Sequence, residues 1–170
     1  MPFDIITIQP TVAAGTFDAD GEVAFNLTSF TLPAHACKVH DVLLQVAKTS
    51  FNFTNADAIE LLFFQKNTQP TLGTLVTGQA TISAADIVAN QLVESTSVGV
   101  ATSNGSPQTD TLANAGLMHA NPSTAVTNPF VLKSVNPDFT MFLGGVFNNV
   151  AGSPNFGGTD TLKVMIHVEY

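Results

Sequence analysis

The chain has 170 residues and a net charge of −8; its 5 basic residues, Lys38, Lys48, Lys66, Lys133 and Lys163, are all lysines and stand against 13 acidic ones. Phosphate neutralisation draws on clustered Lys and Arg, and bidentate base or phosphate recognition favours Arg, so this composition argues against a nucleic-acid partner. Cys37 is the only cysteine, which excludes an intrachain disulfide, and no apolar run approaches the ~18 residues a membrane helix needs.

The predicted elements are short and mostly strand-like. The N-terminus Met1-Pro2-Phe3-Asp4 lacks the basic and apolar regions of a signal peptide, so the expectation is a soluble chain made in the cytoplasm. Residues 3–9 form the first candidate strand. Asp18-Ala19-Asp20-Gly21 follows and has the look of half a calcium loop. Placing Gly21 at the loop's glycine sets Thr16 at the first ligand position and Leu27 where a bidentate Glu is required. An Asp-Gly turn is therefore the reading. Residues 22–32 form the next candidate strand. In 38–48, Val42, Leu44 and Val46 share one face and Asp41, Leu43, Gln45 and Ala47 the other. In 57–65, Ile59, Leu61 and Phe63 oppose Glu60, Leu62 and Phe64, so this strand is expected to be covered on both faces.

Ser83-Ala84-Ala85-Asp86 resembles a capping box with Asp in place of Glu, and predicts a short helix near 83–90. A strand is expected at 92–101. The stretch 102–125, rich in Ser, Asn, Gly, Pro and Thr, is expected to be a long polar loop. Candidate strands at 126–134 and 139–147 come next, then a shorter loop at 148–159. Alternation is cleanest in the last strand, 161–170, where Leu162, Val164, Ile166 and Val168 oppose Lys163, Met165, His167 and Glu169. About eight strands punctuated by Asn-Pro and Gly turns predict an all-β fold, an antiparallel sandwich or jelly roll, in a single domain spanning 1–170.

No motif for chemistry stands out. His35, His40, His119 and His167 form neither a helical i, i+4 pair nor an HxH strand pair, and are read as solvated or hydrogen-bonded. Cys37 is read as a small buried residue. There is no Gly-x-Ser-x-Gly elbow, and neither Gly144-Gly145 nor Gly157-Gly158 is followed by the helix and lysine of a phosphate loop. Phe51, Phe53, Phe63 and Phe64 could form a sugar-stacking platform, but core packing is the simpler role in a chain without Trp and with one Tyr, Tyr170. The sequons at Asn26, Asn52 and Asn104 mean little without a secretion signal. The expectation is a non-enzyme with no catalytic, cofactor-binding or metal residues.

One resemblance covers roughly residues 38–170. It rests on Val42-Leu43-Leu44-Gln45-Val46, Ile59-Glu60-Leu61-Leu62-Phe63-Phe64, the helical Ser83-Ala84-Ala85-Asp86, Asn128-Pro129-Phe130-Val131-Leu132, Met141-Phe142-Leu143-Gly144-Gly145-Val146 and Thr159-Asp160-Thr161-Leu162-Lys163-Val164-Met165-Ile166. In this succession the chain resembles the capsid-associated decoration or cement proteins of tailed phages and related viruses. The resemblance implies a β-sandwich on the outer surface of a capsid, with the major capsid protein as partner, a homo-oligomer with a trimer favoured, and an N-terminal arm within 1–37. No functional residues are carried over from it. A jelly-roll module binding carbohydrate or a receptor through 102–125 is the alternative expectation.

Overall fold

The computed structural model describes residues 1–12, 14–47, 58–72, 82–99, 115–120, 130–150, 155–156 and 161–170. Within them lie strands β1 (Phe3–Ile8), β2 (Gly15–Thr16), β3 (Val23–Thr31), β4 (Ala36–Ala47) and β5 (Ala58–Phe64), then helix α1 (Ala84–Asn90). The later strands are β6 (Leu92–Gly99), β7 (Ala115–Ala120), β8 (Phe130–Lys133), β9 (Thr140–Asn149), β10 (Asn155–Phe156) and β11 (Thr161–Glu169). All pairings are antiparallel. The ladder runs β1-β11-β4-β7-β6-β5-β9-β3, with β8 also on β4, and β10 pairs separately with β2.

This path folds into two layers. One consists of β1, β11 and β4, with β8 paired to Ala36–Val39 and β7 to Leu43–Ala47. The other is β6-β5-β9-β3, and β6 meets β7 through Val98↔Ala120 and Gly99↔His119. Early strands pair with late ones in reverse order: β1 with β11, β3 with β9, β4 with β8, and β5 with β6. The chain is thus one long hairpin rolled so that β1, β3, β4 and β5 alternate between the layers with their later partners beside them, which is jelly-roll winding. The all-β sandwich expected from the alternation is the observed fold.

The periodicities explain why the layers close on each other. Leu162, Val164, Ile166 and Val168 point inward from β11 and are fully buried, as the last strand's alternation predicts. They pack with Val42 and Leu44 of β4 and, across the core, with Phe25, Ile59, Leu61, Phe63, Leu143 and Phe147. Burying a side chain of this size contributes about 1.5–3 kcal/mol. β5 is central and apolar on both faces as expected, because Leu62 and Phe64 join a second cluster with Val23, Leu72 and Val146, over which Ile82 and Ile87 pack. Helix α1 and segments 70–72 and 82–83 therefore cover part of the outer face of the β6-β5-β9-β3 layer.

Several details differ from the sequence reading. Of the expected loop 102–125, Ala115–Ala120 is strand β7; the rest lies outside the described residues. Its pairing with β4 supplies the backbone hydrogen bonds that a polar composition does not advertise. Between the strands expected at 3–9 and 22–32, which are β1 and β3, lies the two-residue β2. Ser83 is the N-cap of α1 but makes no side-chain cap bond. Its N–H, which the capping box would have used, donates to Leu72 O at 2.9 Å.

Candidate functional site

The helix packs over part of one layer's outer face, whereas among the described residues no element packs over the other, and this difference marks the site. The outward row of β1 is Phe3, Ile5 and Thr7, with Phe3 71% and Ile5 55% exposed. Beside it, β11 presents Lys163, Met165, His167 and Glu169, and β4 presents Lys38, Asp41, Leu43 and Gln45. On β8, Val131 is 60% exposed. Large apolar side chains thus interrupt a polar face, an arrangement that in soluble chains marks interaction surfaces.

The β4–β11 register shifts between His167 and Val168, so His40 is the extra residue of a bulge between Val39 and Asp41. The bulge swings His40 over the end of β11, where its Nε2 lies 2.7 Å from Glu169 Oε2 and donates to the carboxylate. Lys38 Nζ stands 3.9 Å from the same oxygen, and the Phe3 ring packs 5.7 Å from the His40 ring, centroid to centroid. Glu169 is buried beneath these groups. A buried carboxylate requires such partners, since an unpaired one costs several kcal/mol. The groups meeting His40 are a carboxylate, an ammonium and a phenyl ring. This assembly pins the start of β1 to the sheet and holds Phe3 outward; it is an anchor.

The residues singled out by sequence take structural roles. Cys37 is buried, and burial pushes its thiol pKa up, opposed by a weak Sγ–H bond to Ala34 O at 3.7 Å. The Asp-Gly segment is a turn with Gly21 at φ 88°, where a side chain would be strained. It joins β2 and β3 rather than two paired strands, since β2 pairs with β10. Its amides at Asp18 and Ala19 donate to the buried Glu22 carboxylate at 2.8 and 3.2 Å. Phe63 and Phe64 are fully buried; Phe51 and Phe53 lie outside the described residues. Gly144 and Gly145 sit within β9, with Leu72 against the first and the Phe25 ring against the second. Asn26 accepts from Leu72 N at 2.9 Å, so its side chain serves the fold. Asn52, Asn104, Gly157 and Gly158 lie outside the described residues. His35 is exposed and touches Phe139 edge-on, while His167 is half-buried on the outer face. His119 lies on β7 opposite Leu43. Among the described residues no three of His, Cys, Asp and Glu gather as a metal site would require.

Two polar clusters had no sequence signal. At the end of β5, the Gln65 side chain donates to Lys133 O and accepts from Val135 N at 3.0 Å. Asn136 Nδ2 donates to Gln65 O and Thr140 O, and Ser134 Oγ to Thr140 O, which ties the β8–β9 turn to β5. In that turn Phe139 has φ 60°, and hydrogen bonds from Thr140 hold the Asp138 carboxyl below its usual pKa. Elsewhere the buried Asn90 amide brackets Gln69, donating to its carbonyl at 2.6 Å and accepting from its N–H at 2.8 Å.

Fold and surface together define a class: a jelly-roll β-sandwich with a helix over part of one outer face and, among the described residues, none over the other. No family model matches the sequence, and no curated protein sequence matches it. Among solved structures, a chain of Desmodium yellow mottle tymovirus superposes over 98% of this chain and 85% of its own, at 13% identity and a TM-score of 0.29. A chain of turnip yellow mosaic virus does so over 98% and 91%, at 11% identity and 0.29. One from Israeli acute paralysis virus covers 98% of this chain and 69% of its own, at 13% identity and 0.26. These scores are low, and the fold assignment rests on the strand order. No helix among the described residues is long and apolar enough to cross a membrane.

Proposed function

We propose that this protein is a virion structural subunit that binds the outside of a viral or phage capsid, with the major capsid protein as partner, and cements the shell. The supporting observation is the outer face of β1, β11, β4 and β8, on which Phe3, Ile5 and Val131 stand exposed and over which no element packs among the described residues, while α1 packs over part of the opposite outer face. Capsids are among the assemblies built from jelly rolls, and the low fraction of charged side chains, 11%, suits a chain that lives packed against others. The mechanism is geometric. Each copy buries this face against shell subunits, so disassembly must break those contacts as well as the shell's own. It needs no chemistry, and we assign the chain no catalytic residues.

Two measurements on purified particles test this reading. Quantitative mass spectrometry should find this chain in a fixed ratio to the major capsid protein, and particles lacking it should burst at a lower temperature. A handful of copies per particle would place it in a tail or fibre. Absence would end the proposal in favour of a sugar- or receptor-binding module.

A further inference from the structure

Among the described residues, strand β1 is paired along its length with β11. Its ladder to β11 is set by Phe3↔Glu169 through Ile8↔Val164, and Tyr170 N donates to Pro2 O at 3.2 Å. That bond fixes the parity of the whole strand. In an antiparallel pair, alternate residues exchange both backbone bonds with the neighbour, so Pro2, Asp4, Ile6 and Ile8 face β11. The N–H and C=O groups of Phe3, Ile5 and Thr7 consequently point away from the sheet. Among the described residues no strand meets them, and the Ile5 N–H takes instead the carboxylate of its neighbour Asp4 at 2.8 Å. The residues with open backbone groups are the same ones whose side chains form the outward row, and a shallow groove lined by Phe3, Asp4, Ile5, His167 and Val168 runs beside them.

We infer that this edge is a strand-addition site whose occupant is β1 of a second copy, paired antiparallel about a two-fold axis through Ile5. The register follows from parity and charge. A two-fold axis normal to the sheet keeps outward side chains outward, so odd residues must oppose odd residues. Centring on Ile5 sets Phe3 against the partner's Thr7 and Ile5 against the partner's Ile5, and offers partners to the outward backbone groups of Phe3, Ile5 and Thr7, the Ile5 N–H exchanging its own Asp4 carboxylate for the partner's Ile5 carbonyl. Centring on Asp4 would oppose two carboxylates on one face, which is unfavourable. Centring on Ile6 leaves Phe3 beyond the end of the partner's strand. In the favoured register Asp4 faces the partner's Ile6, and β1 carries no other charge. The paired copies share one continuous sheet through β11 and β4 on each side, with the exposed Phe3 and Ile5 side chains merged at its centre. A two-fold pair replaces the trimer as the expected oligomer. The pairing is a property of the free chain and stands or falls independently of any capsid. Its edge-to-edge area is small against a standard interface, so association belongs in the micromolar range or weaker.

Sedimentation velocity on the purified full chain should show the mass rising from one copy towards two as concentration is raised through the micromolar range. Ile5→Pro removes an N–H that β11 does not use, at an edge position where proline is tolerated, and should hold the chain monomeric with its melting temperature little changed. Ile5→Lys, which sets two ammonium groups on the axis, should do the same. Hydrogen exchange supplies a readout that needs no variant. The amides of Phe3, Ile5 and Thr7 should slow several-fold with concentration, while those of Ile6 and Ile8 are slow throughout. A chain that stays monomeric, a dimer indifferent to both substitutions, or odd-numbered amides that do not respond to concentration would each overturn the inference.

Discussion

Gly145→Ala probes how tightly the core-facing side of the β9–β3 pair is packed. Gly145 lies on β9, and a Cβ built there would stand 2.2 Å from Phe25 Cε1, 2.6 Å from Cζ and 2.8 Å from Cδ1. Carbon atoms in contact prefer about 3.5–4.0 Å, so the ring must move. Phe25 is fully buried in the main cluster and has no empty space to enter without displacing its neighbours. Overpacking of this kind costs about 1–3 kcal/mol. For a chain of this length that converts to a melting temperature lowered by about 2 to 12 °C. The sign is informative, because where space is open Gly→Ala stabilises by about 0.4–1 kcal/mol through the unfolded state. Thermal unfolding followed by circular dichroism measures the shift. Phe25→Leu should relieve it, making Gly145→Ala less costly in that background than in the wild type, a coupling of about 0.5–3 kcal/mol. An unchanged or raised melting temperature for Gly145→Ala alone would refute the reasoning. Gly144→Ala is the control: its Cβ would meet the flexible end of Leu72 at 2.4 Å, in the outer cluster, and should cost less.

Asn90→Ala removes both hydrogen bonds to the Gln69 backbone. Urea unfolding should show a loss of about 1–3 kcal/mol, the cost of leaving buried polar groups without partners. Asn90→Asp, which keeps an acceptor but loses the donor, should be no better. Cys37, 1% exposed with its thiol pushed up by burial, should resist alkylation at neutral pH in the folded chain and react at an ordinary rate in denaturant. Rapid labelling without denaturant would contradict the burial.

Strands with one face in the core were legible because burial imposes period 2 on the residues themselves. β11 and β4 read correctly for this reason, and β5 was recognised as covered on both faces from its unbroken Leu61-Leu62-Phe63-Phe64. β7 was not legible, since Ala115–Ala120 lies in a polar tract and owes its strand character to pairing with β4 and β6. The two-residue strands β2 and β10 depend likewise on contact over long sequence separation. The same limit hid the anchor at β1. His40 and Glu169 lie 129 residues apart in sequence, and a bulge at His40 is needed to bring them together. Phe3-Asp4-Ile5-Ile6-Thr7-Ile8 shows apolar residues at odd and even positions alike, but only the ladder to β11 tells which row faces out.

The sheet edges explain why one contact surface stands out. At β3, the outer side is capped where Phe25 bridges Val12 and where Leu27 N donates to Pro70 O at 3.2 Å. At the short β8, the Lys133 carbonyl is taken by the Gln65 side chain. These are the usual ways of blunting an edge, since unpaired strands invite aggregation. β1 is blunted differently: a single exposed carboxylate, Asp4, stands near its start and accepts from the Ile5 N–H. Stacking identical β1 strands in parallel register would line up Asp4 with Asp4, and so would the antiparallel register centred on it. The antiparallel register centred on Ile5 avoids that repulsion. It also closes on itself, because each edge is consumed by the other and no open strand remains to recruit a third copy. The charge therefore does not forbid pairing; it selects the register centred on Ile5 over the one centred on Asp4. Asp4→Asn should relax that selection: sedimentation should still stop at two copies, because β11 holds the other edge of each β1, while the concentration-dependent slowing of the Thr7 amide, which lies beyond the partner's strand when Asp4 is on the axis, should weaken.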